Sequence, residues 1–192
     1  NNKAYSIAVR VTSTVGKTTT KTASVTTNNI ATPTFSQSQI STGKKVTITY
    51  PSGCGSTYTC TYIKDGGDSV TVTSTTQEVT FTNSGSVVAK VSDGTNEVSS
   101  SYTINIVNST ITVTSTLGGS VTVTNQTKGT SVTSSNGTTE TISAINGDSI
   151  KITTSLSSNF ETYSLKKNDT NITNGYTETM GTSKYTISGI FK

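Results

Sequence analysis

The sequence predicts an all-β protein, and three observations lead to that class. Thr and Ser make up 75 of the 192 residues, whereas charged residues are only 12% and the net charge is +4. Disordered chains usually combine low hydrophobicity with high charge, and Thr and Val instead favour strands because their branched side chains fit a pleated sheet. Apolar and polar residues alternate in segment after segment, as at residues 46–50. Pairs such as Asp65-Gly66, Asn136-Gly137 and Asn146-Gly147 separate these segments, which is typical of hairpin turns.

The composition also excludes several classes of function. The chain has no His, which rules out a Ser-His-Asp or Cys-His dyad and a His-containing zinc site. No apolar run reaches 18 residues, so we expect no membrane-spanning helix. The 13 Lys and one Arg are scattered, whereas a nucleic-acid interface needs clustered basic residues with stacking aromatics. We therefore predict a protein that is not an enzyme, has no cofactor and does not bind nucleic acid.

Residues 1–30 predict a two-stranded hairpin whose own sheet is incomplete. The segment of residues 5–27 resembles residues 86–104, and each of the two continues through a turn into a Ser/Thr-rich strand. The later copy closes a larger unit, so the early copy is interpreted as the last two strands of a preceding immunoglobulin-like unit. A lone hairpin is marginal in water, so upstream sequence, the following domain or a neighbouring molecule must cover it. Strand exchange between molecules is the alternative, and we rank it below upstream sequence.

Residues 31–107 predict an immunoglobulin-like β-sandwich, because about seven strand-sized segments are separated by turns. The segments that carry a more specific likeness are ATPTFSQSQISTGKKVTITYPSG, YTCTYIKDGG and GSVVAKVSDGTNEVSSSYT. They resemble chitobiase C-terminal-like and related immunoglobulin-like modules of bacterial extracellular proteins. The resemblance covers most of this unit and implies an extracellular setting.

Residues 108–192 predict a small β-rich repeat domain. The segments ITVTSTLGGSVTVT, NGDSIKITTSLSSNFETYSLKKND and YTISGIFK resemble the InlB B-repeat of bacterial surface proteins. The usual central Trp of that family is absent here, and Tyr163 stands in the nearest place. The resemblance implies a repeat that spaces or presents other domains.

Cys54 and Cys60 are the only cysteines, and we predict that they form a disulfide. Two thiols without a His cannot complete a four-ligand metal site, and the spacing is not Cys-x-x-Cys. Closing so short a loop stabilises the fold by about 2.4 kcal/mol in the chain-entropy model. A disulfide indicates an oxidising, extracellular location, and two free buried thiols are the alternative.

Two further groups of residues are weighed as possible sites. Tyr58 and Tyr62 lie on the same strand face as Cys60, where they could form a ligand platform for a sugar or pack beside the disulfide. Packing is the interpretation we favour, and Tyr176 with Tyr185 is a second possible pair. Asp65 and Asp68 are a weak calcium candidate, because they lack the alternating acidic ligands of a calcium loop. Turn formation explains these carboxylates better, and we predict no other metal site and no catalytic residue.

The sequence thus predicts a non-enzymatic structural or adhesive segment, a stalk or spacer, of a bacterial extracellular surface protein. One alternative is a carbohydrate-binding accessory module of a secreted glycosidase. Another is a filament subunit assembled by strand donation through residues 1–30. The expected partners are neighbouring domains of the same polypeptide. The alternatives are self-association and binding to a host or cell-surface glycan or protein.

Overall fold

A computed structural model describes residues 3–27 and 29–192, and it confirms the predicted all-β class. These residues contain 18 strands in five sheets and no helix. In this part of the chain there is accordingly no helix long and apolar enough to cross a membrane. The fold is an immunoglobulin-like sandwich followed by a β-rich domain, with a separate hairpin before them.

The N-terminal hairpin forms a sheet of its own. Strand β1 (Lys3–Thr12) pairs antiparallel with β2 (Thr18–Thr27) over their full lengths. Side chains from residue 5 to residue 25 are exposed on both faces of this ribbon. Nothing in the described structure covers it.

The first domain is a sandwich of a three-stranded and a four-stranded sheet. Its strands are β3 (Thr34–Ile40), β4 (Gly43–Thr49), β5 (Thr59–Lys64), β6 (Ser69–Val72), β7 (Thr76–Phe81), β8 (Gly85–Ser92) and β9 (Glu97–Ile104). The sheet orders are β3-β4-β7 and β6-β5-β8-β9, all antiparallel. Alternation works as predicted in β8, where Val87, Ala89 and Val91 point into the core and are completely buried.

The second domain also consists of two sheets. Its strands are β10 (Asn108–Ser115), β11 (Gly119–Asn125), β12 (Thr130–Ser135), β13 (Thr139–Ile145), β14 (Ser149–Leu156), β15 (Thr162–Lys167), β16 (Thr170–Asn171), β17 (Thr177–Thr179) and β18 (Tyr185–Phe191). The sheet orders are β13-β10-β18-β15-β16 and β12-β11-β14-β17. Strands β10 and β18 are parallel, which brings the two ends of the domain together.

The predicted Asx-Gly turns connect neighbouring strands. Asp65-Gly66 joins β5 to β6 and Asn136-Gly137 joins β12 to β13, and all four residues have positive φ. A type I′ turn requires positive φ at both central positions, and Asp or Asn followed by Gly tolerates this best. The sequence signal therefore identified these turns correctly.

Each domain has its own apolar core. The first core includes Phe81, Ile48 and Val46, and the second includes Ile152, Ile187 and Phe191. Ile145 belongs by sequence to the second domain but is buried in the core of the first. The end of β13 therefore lies in the interface between the domains.

Candidate functional site

The junction between the two domains is a short linker that is hydrogen-bonded along its length. Residues 105–107 connect β9 to β10, and Ile106 is buried in the first core. On the first domain, Lys44 Nζ donates to the Asn105 carbonyl over 2.8 Å. The Ser84 hydroxyl accepts from the Ile106 amide at 2.8 Å and donates to the Ile106 carbonyl at 3.1 Å. The linker is therefore fixed to the sandwich that it leaves.

Asn146, in the turn between β13 and β14, holds the same linker from the second domain. Its Oδ1 accepts from the Val107 amide at 2.9 Å, and its Nδ2 donates to the Asn105 carbonyl at 3.1 Å. The Asn146 amide in turn donates to the Val107 carbonyl at 3.1 Å. Side chains of the two domains together form hydrogen bonds to all three linker residues, 105–107. The linker therefore has little freedom to act as a hinge.

Asp148 is the charged residue at the centre of this junction. It is completely buried, and its Oδ2 accepts from Asn125 Nδ2 at 2.7 Å and from the Ile145 amide at 3.0 Å. Its Oδ1 accepts from Gln39 Nε2 of the first domain at 2.9 Å. Lys128 Nζ lies 3.8 Å from Oδ2. A buried carboxylate is tolerated only when donors compensate it, and these donors come from both domains.

Gly147 allows the domains to approach this closely. Its φ is +99°, and a Cβ at this position would lie 2.6 Å from Gln39 Oε1. A larger residue would push away the side chain that bridges to Asp148. Asn146-Gly147 was predicted as a turn, but no local signal in the sequence indicates that this turn also contacts the first domain.

The structure contains the predicted disulfide between Cys54 and Cys60, with a Cα–Cα distance of 5.5 Å. Cys60 lies in β5, paired with both β6 and β8, and is completely buried. The bond therefore attaches the loop of residues 51–58 to a central strand of the four-stranded sheet. The loop is closed by hydrogen bonds from the amides of residues 56–58 to the Gly53 carbonyl.

Tyr58 and Tyr62 lie beside the disulfide and pack partly against the first core. Both are half-buried, because the face of β5 that carries Cys60 is the core-facing side. Tyr50 lies in the same region: its hydroxyl donates to the Thr61 carbonyl at 2.8 Å, and burial raises its pKa to about 12. This placement matches the packing interpretation, and a ligand platform at Tyr58 and Tyr62 stays a prediction.

Asp65 and Asp68, the calcium candidate, are exposed turn residues. The Asp65 carboxylate accepts from the Ser86 amide at 2.8 Å and so links the β5–β6 turn to β8. Calcium requires six to eight oxygen ligands, far more than two carboxylates. Within residues 3–27 and 29–192, no group of three or more His, Cys, Asp or Glu side chains is placed to hold a metal ion.

A second polar cluster lies in the second domain, with a buried tyrosine beside a partly buried ion pair. Lys167 Nζ forms an ion pair with Glu178 Oε2 and also lies 4.3 Å from the centre of the Tyr185 ring. Tyr185 is buried, which raises the pKa of its hydroxyl, and the neighbouring Glu178 carboxylate raises it further. Tyr185 was one of the aromatic pair considered for sugar binding, but it packs in the core, as Tyr176 does in part. The cluster joins β15, β17 and β18.

The exposed aromatic side chains of this domain, Phe160 and Tyr163, lie elsewhere, between the end of β14 and the start of β15. Tyr163 is 62% exposed, and Lys192 Nζ lies 3.7 Å from the centre of its ring. Next to it is an open groove of about 500 Å³ that Leu156, Tyr163 and Ile172 help to line. Tyr163 does not fill the second core, where Tyr185 and Phe191 are the buried aromatics.

Comparisons with known proteins give few similarities. No protein-family model matches the chain. No curated protein sequence matches it either. Among solved structures, a bacterial adhesin from Mobiluncus mulieris, containing intramolecular disulfide, isopeptide and ester bond cross-links, is similar in two crystal forms. In space group P1 the TM-score is 0.32 at 11% identity, and in space group P21 it is 0.30 at 12% identity. Both matches cover 84% of this chain and 99% of the adhesin chain.

Proposed function

We propose that the chain is a non-enzymatic structural or adhesive segment, a stalk or spacer, of a bacterial extracellular surface protein. The observation that carries this proposal is the junction: residues 105–107 are hydrogen-bonded from both sides, and Asp148 is shared by both domains. A spacer must hold what it presents at a set distance and orientation. A linker that is hydrogen-bonded to both domains keeps them at a set distance and orientation, whereas a flexible linker lets domains rotate freely.

The polar clusters support a structural role. The Asp148 carboxylate accepts from three protein donors. Lys167 and Glu178 are paired with each other. A catalytic acid or nucleophile must be able to reach a substrate, and these groups are instead used to hold strands and domains together.

The extracellular part of the proposal is supported by the Cys54–Cys60 disulfide, because such bonds persist in oxidising compartments. The bacterial origin and the module types are supported by the two sequence resemblances described above. Neighbouring domains of the same polypeptide are the proposed partners.

The proposal can be tested on intact cells of the natural source. We expect protease added to unbroken cells to degrade the protein, or the protein to be recovered from the culture medium. We also expect iodoacetamide added at lysis to leave Cys54 and Cys60 unmodified, and to modify both only after reduction. A cytoplasmic control protein should be protected from the protease. A protein that is protected inside the cell and alkylated at both cysteines without reduction would contradict the proposal.

A further inference from the structure

The hairpin β1–β2 is apolar on one face, and that face is open. The four side chains of β1 on this face, Tyr5, Ile7, Val9 and Val11, are 52%, 55%, 59% and 64% exposed. Across the strands, Tyr5 is opposite Val25 and Ile7 is opposite Ala23. The other face carries polar pairs such as Arg10 with Thr20. A two-stranded ribbon with one apolar face is at best marginal in water, so another surface is needed to cover it.

The same chain contains a closely similar hairpin whose apolar face is covered. The sequence around Ile7 lines up with the sequence around Val87 at an offset of 80 residues. In β8 the residues equivalent to Ile7, Val9 and Val11 are completely buried against the three-stranded sheet; they are Val87, Ala89 and Val91. The exposed face of β1 thus corresponds to a core face.

The cross-strand register of the two hairpins agrees as well. Three cross-strand pairs of the first hairpin each have a counterpart in the second. Ile7–Ala23 corresponds to Val87–Tyr102, Val9–Lys21 to Ala89–Ser100, and Val11–Thr19 to Val91–Val98. The hairpins differ by a single residue in the connecting loop, residues 13–17 against residues 93–96. Strand β8 also pairs with β5 along its second edge, whereas no strand within residues 3–27 and 29–192 pairs with the second edge of β1. Both a face and an edge of the N-terminal hairpin therefore lack the neighbours that its counterpart has.

We propose that β1 and β2 are the last two strands of another immunoglobulin-like sandwich, and that their partner is a segment equivalent to β3–β7 preceding them in the same polypeptide. Such a segment supplies a β5-like strand for the free edge of β1 and a three-stranded sheet for its apolar face. A second copy of this chain does not fit this place, because β8 and β9 already fill the equivalent position in its first domain. This inference depends on the hairpin alone and is independent of the role proposed above.

The test extends the whole chain with a covering segment of known sequence. A second copy of residues 29–84 is fused so that Ser84 is followed directly by Tyr5, the residue equivalent to Gly85. The amides of Ser6, Ala8 and Arg10 point away from β2, to the edge of β1 that the proposal pairs. In the unextended chain we expect no protection of these amides in hydrogen exchange. In the extended chain we expect exchange at these amides to slow by about 100-fold or more, since they join a cooperative sandwich.

Two neighbouring substitutions provide the matched control in the extended chain. Val9→Asp places a charge on the face that the proposal buries, and it should abolish the protection. Arg10→Asp places the same charge on the opposite face, and it should leave the protection unchanged. Equal effects of the two substitutions would overturn the proposal.

Three other results would also overturn it. One is protection of the hairpin in the unextended monomer, since the chain's own domains would then cover it. Another is protection that rises with protein concentration together with a dimer in sedimentation, which would identify a second copy as the partner. The third combines two observations. The extended chain fails to protect the hairpin, and a replacement variant of the full chain, in which residues 5–25 take the place of residues 85–104, no longer unfolds cooperatively. Cooperative unfolding of that replacement variant would support the equivalence of the two hairpins even if the fused copy packs poorly.

Discussion

Replacement of Asp148 by alanine is expected to lower the free energy of unfolding of the second domain by about 3 to 5 kcal/mol. The carboxylate is completely buried and accepts from Asn125 Nδ2, the Ile145 amide and Gln39 Nε2. Alanine would leave Asn125 Nδ2 and the Ile145 amide, which are buried, without this acceptor, and an unsatisfied buried donor costs about 1 to 3 kcal/mol. The substitution should also weaken the contact between the domains, because Gln39 belongs to the first.

The measurement is urea unfolding followed through separate NMR signals of the two domains. Asp169→Ala is the matched control, since Asp169 is an exposed aspartate in a turn of the same domain. We expect that variant to change stability by less than about 0.5 kcal/mol. If Asp148→Ala proved no more destabilising than Asp169→Ala, the buried carboxylate would not be the centre of the junction.

Replacement of Lys167 by methionine is expected to destabilise the second domain by about 2 to 3 kcal/mol. Methionine keeps an unbranched apolar side chain but removes the cation that lies over the Tyr185 ring and pairs with Glu178. The Glu178 side chain is only 13% exposed, so its charge would remain largely buried without compensation. The partial exposure of Lys167, at 28%, places the effect below that of a fully buried pair.

A double substitution separates the cost of an unpaired charge from the cost of altered packing. Lys167→Met combined with Glu178→Leu removes both charges, and we expect it to recover most of the lost stability. Lys151→Met, at an exposed position of β14, is the control and should be nearly neutral. Equal stability of the single and double variants in thermal unfolding would show that the ion pair does not hold β15 to β17.

The sequence was sufficient for those parts of the fold that depend on local signals. Alternation located strands such as β4 and β8, and the Asx-Gly pairs located turns such as Asp65-Gly66. Both signals arise within a few residues, because strand side chains alternate and positive φ favours Gly and Asn. The Cys54–Cys60 disulfide was also predictable, since the chain offers no other cysteine.

The junction could not be predicted in the same way. Asp148 follows a turn signal and indeed lies in a turn, but its acceptor role depends on Gln39, 109 residues away, and on Asn125, 23 residues away. Likewise, the pairing of Lys167 with Glu178 requires β15 and β17 to lie in different sheets that meet in one core. Composition and alternation carry no information on such long-range contacts, so no partner was predicted for either carboxylate.

The most direct test of a rigid spacer is whether the two domains tumble as one body. ¹⁵N relaxation of the full chain should give the same rotational diffusion tensor for residues 29–104 and residues 108–192. Asn146→Ala removes the side-chain bonds to the Asn105 carbonyl and the Val107 amide, so it should separate the two tensors, whereas exposed Asn171→Ala should not. Separate tensors in the unsubstituted protein, with the shorter correlation times of independent domains, would contradict the account.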